Sequence, residues 1–184
     1  MDEPIIIFTI GHSNHSLQKL AQLLKENGIA ALVDVRSAPY SRHFPWFNKE
    51  HLEFELPRLG IEYIYAGKAL GGRPDDPSLY KKREMPTEGA DYLHEVDYPA
   101  VMKRSYFIKG VERMLETAVQ KTTALMCSEE DPADCHRHHL ITRYLLDEFP
   151  EVEIHHIRGD GTVFNAHQIV KKVDTPNATQ GKLF

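Results

Sequence analysis

Both cysteines of this chain and three of its histidines fall within one stretch, Ala124 to Leu145, which reads ALMCSEEDPADCHRHHLITRYL. An apolar run ends in Cys127, an acidic loop follows, and Cys135-His136-Arg137 stands where a helix is expected to begin. Asp131-Pro132 suits an N-cap followed by proline in the first turn, which puts Cys135 near the positive end of the helix dipole. With His136 and Arg137 beside it, a Cys135 thiolate is favoured, and a thiolate is a nucleophile. On a helical wheel at about 100° per residue, Leu140, Ile141, Tyr144 and Leu145 define an inward face. Arg137 falls near its middle, His136 to one side and Cys135 largely opposite, so Cys135 also reads as a small buried or half-exposed cysteine. Cys127, at the end of a buried strand, is either a second candidate nucleophile or a core thiol. The two cysteines are eight residues apart and make no C-x-x-C pair. Ala133 and Ile141 stand where a C-x5-R phosphate loop needs arginine, which disfavours a cysteine-dependent phosphatase.

The same stretch offers metal ligands. Cys135 and His139 are four residues apart, and Cys127, His136 and His138 are near in sequence. A mononuclear zinc site is one use of such residues. The usual zinc spacings are absent, so metal is not favoured, no metal ligand is assigned and the cofactor stays unknown.

A third group is cationic. Arg36 directly follows a buried strand, where a charge has no packing purpose. It either pairs with Asp34 or Glu129 or takes an anion through two parallel hydrogen bonds. Arg42, Arg73 and Arg137 can converge on the same edge, with Ser37 and Glu129 close by. Gly71-Gly72 can let backbone N–H groups approach a phosphate. His12 and Ser13 are an acid/base and a hydrogen-bond donor, or simply a cap on the first helix.

These groups need a scaffold, and hydrophobic periodicity supplies one. Ile5 to Ile10, Ala31 to Val35, Ile61 to Tyr65, Thr123 to Cys127 and Val152 to Ile157 read as strands. Helical stripes lie between most of them: Leu17 to Leu24 behind a Ser16 cap, Leu52 to Leu59 behind Asn48, and Val111 to Val119. Strand, helix, strand within about 30 residues is a βαβ unit, so the first two strands should be parallel. The expected fold is an α/β three-layer domain with a mainly parallel sheet of about five strands. In such sheets ligands sit at the carboxyl ends of strands. Gly11-His12-Ser13, Arg36-Ser37 and Cys127-Ser128-Glu129 all leave strands there. Residues 67–100 show no period and read as a lid-like insertion in a single domain of residues 1–174. Thr162 to Val173 is a short terminal element after an Asp160-Gly161 turn, and residues 175–184 are expected to be loose.

Lys+Arg 22 against Asp+Glu 27 gives −5, which argues against coating nucleic acid through bulk charge. Two cysteines make no disulfide framework, and free thiols suit a reducing cytoplasm. No apolar run is long enough for a membrane span, so no membrane partner is expected.

The T-I-G-H-S start, the D-V-R-S-x-P segment, the F-N-K-E helix start, the L-G-G-R-P loop and M-C-S-E-E-D-x-x-x-C-H-R-H run in order from Thr9 to about Tyr144. In these the chain resembles the family called domain of unknown function 488. The resemblance implies a small prokaryotic cytoplasmic α/β domain and supplies no activity. It falls on Gly11, His12, Ser13, Asp34, Arg36, Ser37, Pro39, Gly71, Gly72, Cys127, Glu129, Cys135, His136 and Arg137.

The leading expectation is an enzyme acting on an anionic ligand, phosphorylated or nucleotide-like. His12, Cys127, Cys135 and His136 are its catalytic candidates. Ser13, Arg36, Ser37, Arg42, Gly71, Gly72, Arg73, Glu129 and Arg137 are its ligand-binding candidates. The rival is a non-catalytic module for nucleic acid or a protein partner, using Arg42, Trp46, Phe47 and the run Lys81 to Arg83.

Overall fold

The β-branched run at the N-terminus carries no group that needs water, and it forms a central strand. In the computed structural model, which describes residues 4–169, this is β1 (Ile5–Gly11). Ser16 caps α1 (Leu17–Glu26), its hydroxyl accepting from the Lys19 N–H at 3.1 Å. β2 (Ala31–Asp34), α2 (Lys49–Arg58) and β3 (Glu62–Tyr65) repeat the rhythm. Gly28 and Gly60 end the two helices in the left-handed region, at φ 66° and 80°. Asn48 precedes α2 without capping it. Its side chain instead accepts from the Ser41 N–H at 2.7 Å and ties down the preceding loop.

Three short helices follow, α3 (Gly67–Leu70), α4 (Tyr92–Glu95) and α5 (Tyr98–Met102). Then come α6 (Ser105–Gln120), β4 (Thr123–Cys127), α7 (Arg143–Glu148), β5 (Val152–Ile157) and β6 (Val163–Asn165). The sheet order is β3-β2-β4-β1-β5-β6. The first five are parallel, and β6 closes the edge antiparallel to β5. The expected three-layer α/β fold is therefore present, with a sixth strand added. β6 is the first part of the expected terminal element. The rest of that element beyond residue 169, and the 175–184 tail, lie outside the described residues.

Alternate side chains of each strand feed two cores. On β4, Ala124 and Met126 join Leu20, Leu24, Leu52 and Leu56 beneath α1 and α2. Leu125 and Cys127 join Phe107, Val111, Met114 and Leu145 beneath α6 and α7. Right-handed crossovers produce this division, because the chain moves along the sheet one way for α1 and α2 and back for α6. β1 and β2 are parallel as expected, yet β4 lies between them. Connections thus leave β1 and β4 in opposite directions. A crevice must open above the carboxyl ends of this pair.

Residues 67–104 are an ordered wall on one side of that crevice. Leu70, Leu79, Tyr80, Val96 and Val101 are buried in the main core, and an isolated bridge joins Tyr80 to Val96. Their irregular spacing explains the lack of any period. Among the described residues no helix is long and apolar enough to cross a membrane.

Gly11 closes the β1–β4 register opposite Cys127. A Cβ there would lie 1.8 Å from the Glu129 carbonyl oxygen, so the loop after β4 needs a glycine beneath it. Gly11→Ala is expected to lower the urea unfolding free energy by roughly 1–3 kcal/mol, the usual range for overpacking. Unchanged stability would show that the loop gives way freely.

Candidate active site in the β1–β4 crevice

The crevice is a cleft of about 900 Å³. From the sheet side it is lined by His12, Ser13, Arg36, Ser37, Cys127, Glu129, Cys135 and His136. Gly72, Arg73, Tyr92 and Tyr98 line it from the opposite wall. Of the sequence-predicted site residues, Arg42, Gly71 and Arg137 do not line it.

The segment after β4 departs from a simple helix. Asp131 caps a single 3-10 turn, Pro132–Asp134, accepting from the Ala133 N–H at 2.9 Å. Cys135 is then extended, at φ −137° and ψ 142°, before a π-helical turn at Arg137–Thr142 runs into α7. The wheel assumed an unbroken α-helix from Pro132. The extended residue turns Cys135 inward, where it is 2 % exposed, so its expected outward position is corrected. Its carbonyl receives the N–H groups of His138 and His139, the work of a helix cap.

Cys127, Cys135 and His136 form one cluster. His136 Nδ1 stands 3.6 Å from Cys127 Sγ and 3.9 Å from Cys135 Sγ. His136 Nε2 lies 3.0 Å from the Val35 carbonyl, which only accepts, so Nε2 carries the proton and Nδ1 presents its lone pair to the sulfurs. Gly72 makes room for this ring, since a Cβ there would come within 2.6 Å of it. Both thiols are free. The hydrogen bond that the Cys127 thiol donates to Cys135, together with burial, pushes Cys127 well up. For Cys135, burial opposes ionisation, but hydrogen bonds from Cys127 and from the His136 ring once its Nδ1 has taken the thiol's proton, with the Arg137 charge, outweigh it and hold the thiol well below its usual range. Cys135 is thus the first of the pair to ionise.

The two expected anion-binding arginines have structural work. Arg36 Nε and Nη2 grip the buried Asp34 carboxylate at 2.8 and 2.6 Å, and Nη2 also donates to the Phe47 carbonyl at 2.7 Å. Nη1 donates to His12 Nε2 at 3.1 Å. Of the alternatives open in the sequence, the Asp34 pair is the one formed, and one Nη1 N–H is left over. His12 donates through Nδ1 to the Ser13 carbonyl at 2.8 Å and stacks on Phe47 at 4.2 Å. Burial and then Arg36 lower its pKa to about 4. Both nitrogens of His12 are occupied, so it acts as a brace for Arg36.

Arg137 is fully buried. It donates to the carbonyls of Glu129 and Glu130 and, from Nε, to Thr9 Oγ1 at 3.3 Å. An anion in the cleft cannot reach it, which corrects its expected ligand-binding role. The Gly71 N–H is taken by the Gly67 carbonyl. A Cβ at Gly71 would meet that same oxygen and Ser37 Oγ at 2.3 Å, so this glycine serves packing. Ser37 Oγ accepts from the Arg73 N–H at 3.0 Å and joins the two walls. Arg73 is exposed, with its guanidinium 4.5 Å over the Tyr92 ring. Arg42 is exposed and is not among the residues that line the cleft. Sequence reasoning missed Tyr92 and Tyr98, which no periodicity marks.

A buried polar chain runs beneath the cluster. Thr9 Oγ1 receives Arg137 Nε–H and donates to His156 Nδ1 at 2.6 Å, and His156 Nε2 then donates to His138 Nδ1 at 3.3 Å. Burial and then Arg137 lower the His156 pKa to about 2. The unfolded chain takes this proton near pH 6.5, whereas the folded protein refuses it. Stability from this group is therefore full above about pH 6.5 and is lost as pH falls towards 2. His156→Gln keeps an acceptor and a donor in place. Urea unfolding at pH 6.5 and 5.5 should show wild type losing about 1 kcal/mol more than the variant over that interval. An identical loss in both would sink the assignment.

Comparison with known proteins places the chain. No curated protein and no solved structure gives a match. The family described as Domain of unknown function DUF488 matches residues 16–145. That span holds α1 to α6, β2 to β4 and the whole Cys127–Cys135–His136 cluster. The chain belongs to the DUF488 family.

Proposed function

We propose that the protein is an enzyme acting on a small ligand with an anionic group, with Cys127, Cys135 and His136 as the reacting centre. One observation carries this reading. A histidine whose Nε2 is tied to Val35 aims its Nδ1 lone pair at two buried free thiols, at the floor of a cleft large enough for a nucleotide-sized ligand. Nothing in packing requires that convergence, and perturbed groups in a cleft favour chemistry over structure.

The anionic end is assigned to Arg73 and to the remaining N–H of Arg36. Arg73 is the exposed guanidinium on the cleft wall, and its backbone is fixed by Ser37. Tyr92 beneath it and Phe44 across the cleft offer flat apolar surfaces to a base or ring. A reducing, cytoplasmic setting suits the free thiols.

The alternative, a non-catalytic nucleic-acid or protein module, loses a central element. Phe47 is fully buried and stacked on His12, and Trp46 Nε1 donates to the His15 carbonyl at 2.9 Å. These rings pack on the domain and leave little face for a base.

The test is a thermal-shift and calorimetric panel of phosphate monoesters and nucleoside phosphates. At least one should raise the wild-type Tm, and Arg73→Ala should weaken it about tenfold, or about 1.4 kcal/mol. Cys135→Ser should keep binding and lose turnover. If no panel member binds wild type, or Arg73→Ala binds equally well, the anion assignment is wrong.

A further inference from the structure

We infer that Cys127, Cys135 and His136 hold one divalent transition-metal ion of the zinc class. This deepens the reading above and rests on it only in taking this cluster as the reacting centre of the cleft. The three ligand atoms lie within 4.8 Å of one another. Around a tetrahedral zinc, bonds of about 2.3 Å to sulfur and about 2.0 Å to nitrogen imply S···N separations of about 3.6 Å. The two S···N separations are 3.6 and 3.9 Å.

The surroundings match a metal site as well as the ligands do. Metal-bound histidines commonly donate their other ring N–H to a carbonyl or carboxylate, which fixes tautomer and orientation. His136 does this to the Val35 carbonyl. The Arg137 backbone N–H points at Cys135 Sγ at 3.5 Å, a contact that suits a thiolate. Cys127 ends a central strand, and Cys135-His136 precede a helix, so the ligands sit on two fixed elements. Two thiolates would balance a divalent charge. Two sulfurs and one imidazole select zinc, cobalt or ferrous iron over magnesium or calcium.

Two blander uses of the cluster explain less. A Cys127–Cys135 disulfide would draw the sulfurs to about 2.05 Å and leave the imidazole without a role between them. Simple thiol hydrogen bonding needs neither two cysteines nor a fixed Nδ1 acceptor. Among the described residues no fourth His, Cys, Asp or Glu joins the group. Three protein ligands with a fourth position open to water or ligand is the arrangement of catalytic zinc. Bound there, the ion would act as a Lewis acid towards the ligand's oxygen or lower the pKa of a water.

Elemental analysis of protein purified without chelator should give about one zinc per chain. Metal-free protein, reduced and shown folded by circular dichroism, should take up cobalt with a thiolate charge-transfer band and intense visible bands of a tetrahedral ion. Cys127→Ser, Cys135→Ser and His136→Gln should each weaken zinc binding on the order of 100-fold or more, beyond the effect of losing a supporting residue. Gly72→Ala, which leaves every ligand in place but crowds the His136 ring, should weaken it less. The inference is overturned if folded, reduced wild type gives no charge-transfer band, if the triple set of variants binds zinc as wild type does, or if mass analysis finds a native disulfide. These readouts need no substrate. Zinc uptake without any panel ligand would refute the anion reading alone, and ligand binding by a protein that takes up no metal would refute the metal alone.

Discussion

The guanidinium of Arg137 organises the region around it. It is wholly enclosed, and its donors meet the carbonyls of Glu129 and Glu130 and the hydroxyl of Thr9. A buried cation is tolerated only when such partners replace water. The two carbonyls lie in the loop that joins the two cysteines, so the charge that must be satisfied also fixes the chain between them. Its own backbone N–H then faces Cys135 Sγ. Removal would leave two carbonyls and a threonine hydroxyl short of a donor, and the cysteines would lose their fixed separation.

A buried ion pair does the same beside β2. Asp34 receives Arg36 twice and the Tyr63 hydroxyl at 2.6 Å, and Arg36 in turn reaches Phe47 and His12. The cleft therefore rests on two buried charged anchors. Around them, glycines set the close approaches: Gly11 under the Glu129 carbonyl, Gly72 against the His136 ring. The groups in the cleft that neither anchor consumes are two thiols, one imidazole nitrogen and the Arg73 guanidinium, and these are the groups the proposed function uses.

Much of the fold was legible because buried strands announce themselves by composition. Ile5 to Ile10 and Thr123 to Cys127 could not be surface segments, and their polar exits located the cleft. β6 was less visible, since three residues, Val163–Asn165, are too few for alternation to register. The site was legible in its residue types but not in its geometry. Asp131-Pro132 does start a turn, but a 3-10 turn, and nothing local signals that Cys135 will be extended or that a π turn will follow. The wheel consequently faced Cys135 the wrong way while correctly burying Arg137. Arg36 shows a different limit: Asp34 two residues earlier was an available partner, yet sequence alone leaves pairing and ligand binding equally open. Metal-ligand spacing also hid the cluster, because its members converge through a strand end and an irregular turn, with no regular motif between them.

The place of β4 in the sheet has a consequence for how the protein is made. β1 is synthesised first, but both of its neighbours, β4 and β5, come from the last third of the described chain. Until residue 127 has emerged, β2 and β3 can pair while β1 has no partner on either side. Such long-range pairing is slow, because loop closure is required before contacts reward it. An emerging chain therefore exposes an unpaired, strongly apolar strand, the kind of edge that holdase chaperones cover. When β4 inserts, it unites the two halves of the sheet and delivers Cys127 to the crevice in the same step. Assembly of the cluster thus marks the joining of the two halves of the sheet, with β5 and β6 still to be added.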